Sequence, residues 1–356
     1  MTPLGIGGML FLIFFLLLLV GCPIMVALGV GTMACFLILD IDLSMMIERA
    51  FASLTAFPLM ALPAFVLAGA LMEASGISRR LVAVAEAFVG PIPGGLAIST
   101  VLSCVFFGAI SGSGPATTAA VGMLMIPAMT KRGYNTAYAA ATTATAGGIG
   151  IIIPPSIPMV IYGVTGQVSI SKMFMAGFIP GFLIAFSLCV LHFLKCRRLG
   201  LGGEKWSLRH LLHTVKDGFW SILAPLIILG GIYAGLFTPT EAAIVAIFYT
   251  LFVGIFIHRE LKFKAFMSSL NTTSWLTGRV LVLVFTATAF GYLLTAYRIP
   301  VELANMILGL TDNVYMVWAM VVGLLIFLGM FLETLAIIML VTPVLLPIMT
   351  AFGVDP

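Results

Sequence analysis

The chain has 356 residues, 62% of them hydrophobic and 8% charged, against about 25% charged in an ordinary soluble domain. Apolar runs of about 18 residues or more recur along it, which means many membrane spans. The net charge is only +4, so nucleic-acid binding is not suggested, and Cys22, Cys35, Cys104, Cys189 and Cys196 have neither metal-type spacing nor a disulfide pattern and read as small apolar fillers.

The N-terminal run lacks a basic leader and continues past residue 35, so it is expected to be a first span and not a signal peptide. Residues 4–20 and 24–39 flank Gly21-Cys22-Pro23. They fit two short spans with a tight turn, or one long helix kinked at Pro23. Residues 40–50 carry Asp40, Asp42, Glu48 and Arg49 and belong near a surface. Residues 52–75 form another span, with Pro58 and Pro63 as irregularities and Arg79-Arg80 marking an interface beyond it. Residues 81–107 are broken by Pro91, Pro93, Gly94 and Gly95 into two helices.

The run Gly108-Ala109-Ile110-Ser111-Gly112-Ser113-Gly114-Pro115-Ala116-Thr117-Thr118-Ala119-Ala120 lies between uncharged apolar runs. Unpaired backbone polar groups are costly in hydrocarbon, so a break here must be buried in protein or line a cavity. Gly112 and Gly114 supply conformational freedom, and Pro115 suits the first turn of a new helix. Such a break frees carbonyls on one side and N–H groups on the other, the recurring construction of coupling-ion and substrate sites near the membrane midplane. The plainer reading is a kinked span with small residues for close packing. A second break follows at residues 147–158, where Pro154, Pro155 and Pro158 forbid an ordinary helix.

Residues 173–194 are a cleaner span. A basic stretch at 195–217 follows, then spans at 218–237 and 241–257, then Arg259, Lys262 and Lys264. The two basic clusters hold nine of the 17 Lys and Arg residues, which assigns both to the cytoplasmic face, and two spans between them satisfy that assignment. Thr238-Pro239-Thr240-Glu241 fits a helix capping box. Residues 270–296 and 314–332 are further spans. Glu333 then precedes the apolar run that contains Thr342-Pro343 and Pro347.

Residues 69–78 echo residues 291–300 at an offset of 222, and Met125-Ile126-Pro127-Ala128-Met129 echoes Leu345-Leu346-Pro347-Ile348-Met349 at an offset of 220. Two echoes in order at nearly one offset indicate duplication, as in many secondary transporters. The fold class expected is an all-α polytopic membrane protein with two inverted repeats, re-entrant helical hairpins and broken helices. The first repeat is residues 1–194, with a hairpin at 95–130 and a broken helix at 147–160. A cytoplasmic linker at 195–217 follows, and residues 218–356 form a second repeat. On this symmetry the second repeat is expected to lack its C-terminal part.

Four separated motifs carry a family resemblance: the Ser-Gly-Ser-Gly-Pro-Ala-Thr tip, the Gly150 to Pro158 element, Thr238-Pro239-Thr240-Glu241-Ala242-Ala243, and Gly329 to Pro347 with Glu333. With them the chain resembles the large membrane subunit of tripartite ATP-independent periplasmic (TRAP) transporters over essentially its whole length. The resemblance implies an elevator-type secondary transporter of the bacterial inner membrane that imports organic acids such as C4-dicarboxylates or sialic acid. It implies sodium ions as the coupling ion with no organic cofactor. The implied partners are a periplasmic substrate-binding protein and a small four-helix membrane subunit.

On that reading sodium, a hard cation, takes oxygens. The candidates are the backbone carbonyls of Ser111, Gly112, Ser113 and Gly150 and the hydroxyls of Ser113, Thr117 and Thr342. Glu333 is an intramembrane carboxylate that either serves a cation indirectly or pairs with a backbone or Arg partner to hold the second hairpin. A substrate carboxylate would meet helix N-terminal N–H groups near Ala116 and Thr117, beside Ser113, Pro154 and Pro155. Arg298 or Arg279 could hold it bidentately, although such residues more often snorkel to headgroups. No catalytic constellation and no phosphate-binding glycine loop is present, so an enzyme is not expected. The competing readings are an ion-coupled anion transporter of a related two-repeat fold that works without a binding protein, and a truncated, non-functional fragment.

Overall fold

The computed structural model describes residues 2–201, 207–310, 313–330 and 332–355. Among them the regular elements are all helical. In order they are α1 (Pro3–Leu19), α2 (Ile24–Ile38), α3 (Leu43–Leu54), α4 (Ala61–Ala74), α5 (Ile77–Val89), α6 (Gly95–Ser111), α7 (Gly114–Lys131) and α8 (Thr136–Gly147). Then come α9 (Ile157–Thr165), α10 (Ile170–Arg198), α11 (Leu208–Tyr233), α12 (Pro239–Phe252), α13 (Phe263–Ala296), α14 (Ile299–Leu310), α15 (Val314–Gly329) and α16 (Thr334–Ala351). Six helical stretches among the described residues are long and apolar enough to cross a membrane: Phe57–Ala74, Ile170–Arg198, Leu208–Tyr233, Pro239–Ile257, Phe263–Ala296 and Thr334–Ala351. The protein is a multi-pass all-α membrane protein.

Local chemistry sets the helix ends. Gly21 adopts φ 88° and α1 packs on α2, so the first apolar stretch is two helices. Asp42 caps α3 by accepting from the Ser44 N–H at 2.9 Å. Ile47 and Phe51 are exposed on the same helix, which makes it the interfacial segment that the charges of residues 40–50 require. Thr238 and Glu241 form the expected capping box at the start of α12. α11 begins at Leu208, inside the basic stretch, where Ser207 caps it by accepting from the His210 N–H at 3.3 Å. Residues 202–206 of that stretch lie outside the described residues.

The chain forms two compact units interleaved in sequence. One comprises Met1–Leu59, Ile161–Val168 and Thr277–Pro356, and the other Met60–Val160 and Ser169–Leu276. In the second unit α6 is buried along nearly its whole length and packs against α4, α5, α7, α8 and α10. Val101, Cys104, Phe107, Val121, Met125 and Ala146 form its core. In a bilayer such packing is held by van der Waals fit and close backbone approach, since lipid removes the drive to hide apolar surface. Arg79 and Arg80 each lie 2.9 Å from Glu260, and Arg80 lies 3.3 Å from Asp217. These pairs bring Arg79-Arg80 and both later basic clusters to one face of this unit, with α11 and α12 between the clusters.

In the first unit α1 packs on α2 and α14, and α16 on α14 and α15. Phe290 meets Phe11 and Phe14 edge-on, with ring centroids 5.4 and 5.9 Å apart. Two helix starts share one conformational detail. Gly76 before α5 has φ 75°, and Arg298 before α14 has φ 53°. These are the positions that the 222-residue offset pairs.

Candidate functional site

α6 ends at Ser111, Gly112 takes φ 59°, and Ser113 stands at the N-cap of α7 with Pro115 in the first turn. Thr117 Oγ1 donates to the Ser113 carbonyl at 2.7 Å and lies 3.1 Å from Ser111 Oγ. The Ser113 N–H reaches Ser111 Oγ at 3.4 Å, and the Ala116 N–H reaches Ser113 Oγ at 3.5 Å. Ser111 is 5% exposed and Thr117 is fully buried, so three oxygens, Ser111 Oγ, Ser113 O and Thr117 Oγ1, converge inside the protein. Ala116 is exposed at the edge of the tip.

The broken helix lies directly against this tip. α8 ends at Gly147, a short 3-10 turn covers Gly148–Ile151, and the chain passes through the buried Pro154 and Pro155, joined by a cis peptide, to α9. The Ile157 N–H donates to the Gly112 carbonyl at 3.2 Å. A Cβ on Gly108 would stand 2.6 Å from Gly150 Cα, and one on Gly112 would stand 2.6 Å from the Pro155 carbonyl oxygen. One on Gly150 would overlap the Thr117 side chain. Backbone therefore meets backbone, which only glycine permits at these positions. From α4, Gly69 backs the tip, its added Cβ falling 3.1 Å from Ser111 Cα.

Two helix C-termini, of α6 and α8, and two N-termini, of α7 and α9, meet within this unit. Their unpaired carbonyls present negative partial charge and their N–H groups positive. The arrangement offers oxygens to a hard cation and N–H donors to an anion without any charged side chain. Among the described residues no group of three or more His, Cys, Asp or Glu is placed to hold a metal ion, so any cation here would rely on carbonyls and hydroxyls.

The family profile described as tripartite ATP-independent periplasmic transporter, DctM component, matches residues 11–356. The chain belongs to this TRAP family. It is 43% identical over 350 residues to the isethionate TRAP transporter permease protein DctMQ of Oleidesulfovibrio alaskensis, covering 98% of this chain and 55% of that protein. It is 40% identical over 301 residues to the C4-dicarboxylate TRAP transporter large permease protein DctM of Pseudomonas aeruginosa, covering 84% of this chain and 70% of that protein. To the sialic acid TRAP transporter permease protein SiaT of Haemophilus influenzae it is 35% identical over 346 residues, covering 97% of this chain and 56% of that protein. The chain thus spans little more than half the length of two of these relatives. TRAP large permeases are inner-membrane transporter components and not enzymes.

The remaining candidates of this TRAP permease chain lie in the first unit. Glu333 holds the N-cap position of α16, and its carboxylate pairs with Arg279 at 3.3 Å, both side chains half exposed. That is the arginine partner considered for it in the sequence. Thr342 is buried and lines a largely apolar cavity of about 320 Å3 with Tyr162, Trp318 and Ile338. Arg298 is exposed in its left-handed turn. Ser111, Gly112, Ser113, Thr117, Gly150, Pro154 and Pro155 thus form one cluster in the second unit, and Glu333, Thr342 and Arg298 belong to the first.

Two contributors escaped the sequence reading. Gly69 looked like one more small residue in a span; its place inside an apolar run was the available signal for close helix approach. Ser156 donates to the Ile151 carbonyl and accepts from the Met159 N–H at 3.4 Å, capping the restart of the broken helix. A serine just before an apolar helical run was its signal.

Proposed function

We propose that this chain is the membrane-embedded part of a sodium-coupled importer of a small organic acid, with the first hairpin tip and the broken helix forming the cation site. The observation that carries this is the buried convergence of Ser111 Oγ, Ser113 O and Thr117 Oγ1 against Gly150. Sodium needs several oxygens at short range and no strong charge, and a monovalent ion is matched by carbonyls and hydroxyls of this kind. An organic anion beside it would sit at the positive N-terminal end of α7 near Ala116 and Thr117, whose own N–H groups donate to Ser113 Oγ and the Ser113 carbonyl. Coupling follows because an anion and its cations are together cheaper to hold in a low-dielectric interior than either alone.

The relatives' names supply the substrate class: isethionate, C4-dicarboxylates and sialic acid are all organic acids. By the same family logic the whole transporter includes a small membrane subunit and a periplasmic binding protein that delivers the substrate, and its transport step is of the elevator type. The two inverted repeats, of which α4 to α7 and α13 to α16 would be the equivalent cores, belong to this proposal. The repeated left-handed turn at Gly76 and Arg298 supports it.

The test is uptake into proteoliposomes by this chain with its small membrane partner, supplied with succinate, isethionate or sialic acid and the cognate binding protein. Uptake that requires both a sodium gradient and the binding protein supports the proposal. Sodium-driven uptake without any soluble protein would replace the tripartite reading with that of a stand-alone transporter. Uptake indifferent to sodium would overturn the coupling assignment.

A further inference from the structure

We infer that a cavity in the first compact unit, separate from the hairpin tip, is an anion subsite organised by Arg49. The cavity measures about 530 Å3, and its walls come from α3, the end of α9 with the turn after it, α13 and α16. That volume is typical of sites for small molecules. Arg49 is the cation on its wall, and the guanidinium carbon lies over the Tyr292 ring, 5.4 Å from the centroid. A ring face fixes a guanidinium without consuming its in-plane N–H donors, which keeps the planar fork available to an oxyanion. No carboxylate lines the cavity among the described residues.

The other polar groups sharpen the assignment. Ser53, Thr288 and Thr295 also line the space, but their hydroxyls donate to the carbonyls of Ala50, Val284 and Gly291 at 2.6, 2.8 and 2.9 Å. Their protons are engaged, so donation to a ligand falls to Arg49, the Gln167 amide and the hydroxyls of Thr165 and Tyr292. Most of the remaining wall is apolar, including Ile161, Val164, Val284 and Ala287. One oriented cation, a few neutral donors and otherwise apolar walls select a small carboxylate or sulfonate over a neutral polyol or a cation.

The chain's course places this subsite. α13 has Lys264 at one end and Thr295 at the other, 34 residues that rise about 50 Å as a helix. Along this one helix the Thr295 end, which lines the cavity, is opposite the Lys264 end, and the positive-inside rule turns it toward the outer side. Its role as the first stop for an incoming anion rests on the import reading given above, whereas anion binding at Arg49 does not.

Binding is tested on the chain with its small membrane partner in proteoliposomes. Ser53→Cys is introduced, and its alkylation by N-ethylmaleimide is followed by peptide mass spectrometry. Succinate or isethionate, without sodium, should slow alkylation, while glycerol should not. Arg49→Gln should raise the half-protecting anion concentration at least tenfold. Arg49→Lys, which keeps the charge but loses the planar fork, should raise it only a few-fold. Thr117→Val should leave protection intact while impairing sodium-driven uptake, so failure of the import reading and failure of the subsite give different patterns. Absence of protection, equal protection by glycerol, or unchanged protection in both Arg49 variants would overturn the inference.

Discussion

The Ile157 N–H donates to the Gly112 carbonyl at 3.2 Å, joining the tip of the first hairpin to the restart of the broken helix. The bond occupies one lone pair of a carbonyl that the sequence nominates as an ion ligand, and the second lone pair is left for a cation. It also fixes the distance between two elements that each lack continuous helical hydrogen bonding. Gly112 is the residue on which both the left-handed turn and the close approach depend.

Gly112→Ala should therefore damage the site more than an ordinary glycine change in a membrane helix. The left-handed turn alone costs a non-glycine residue about 1–2 kcal/mol, and the new Cβ would meet the Pro155 carbonyl oxygen at 2.6 Å. A lower Tm in detergent together with loss of sodium-dependent uptake is the expected result. Unchanged stability and uptake would show that the contact with the broken helix is dispensable.

Thr117→Val removes one of three converging oxygens at nearly constant volume, and Thr117→Ser restores it. The expected outcome is at least a tenfold rise in the sodium concentration for half-maximal uptake in Thr117→Val, and a near-normal value in Thr117→Ser. Equal behaviour of the two variants would assign Thr117 to packing against Gly150.

Arg279 and Glu333 should behave as a unit. Arg279 lies near the middle of α13 and pairs with the first-turn boundary of α16. Removing Arg279 takes from the Glu333 carboxylate this cationic partner, whereas removing both leaves no such carboxylate. Arg279→Leu and Glu333→Leu should each lower Tm more than the double substitution does. Both side chains are half exposed, so the coupling should fall at the upper end of the ~0.2–1 kcal/mol range of exposed pairs. A double-mutant cycle on thermal unfolding measures it, and a zero coupling energy would return Glu333 to the list of direct site residues.

His258 should make stability depend on pH. It stands just beyond the span ending at Ile257, and its Nδ1–H donates to the Ser75 carbonyl at 3.1 Å. Burial holds its pKa below the ordinary 6.5 and nearby Arg80 pushes the same way, while the Ser75 bond, Glu260 and Asp217 oppose them. The folded state thus favours the neutral ring. Its contribution is present above the ordinary histidine range and is lost as pH falls through the depressed value. Tm should drop between pH 7.5 and pH 5, and His258→Asn should reduce that drop. An unaltered pH profile in His258→Asn would place the sensitivity elsewhere.

Features whose physics is local were legible in the order of the amino acids. Hydropathy over helical lengths made the chain a multi-pass membrane protein. Gly112, Pro115 and the prolines at 154, 155 and 158 placed the two breaks, because backbone restrictions are written in single residues. Thr238 and Glu241 announced their capping box. Only the tertiary structure decided that Gly108 meets Gly150 and that Gly69 backs Ser111, since glycine contacts leave no side-chain signature. It also set Arg279 against Glu333, Arg49 over Tyr292, and Thr342 in an apolar cavity. Those outcomes depend on how distant helices are rotated and packed, and an apolar helix whose faces are nearly alike in composition does not specify in its sequence which side will meet which neighbour.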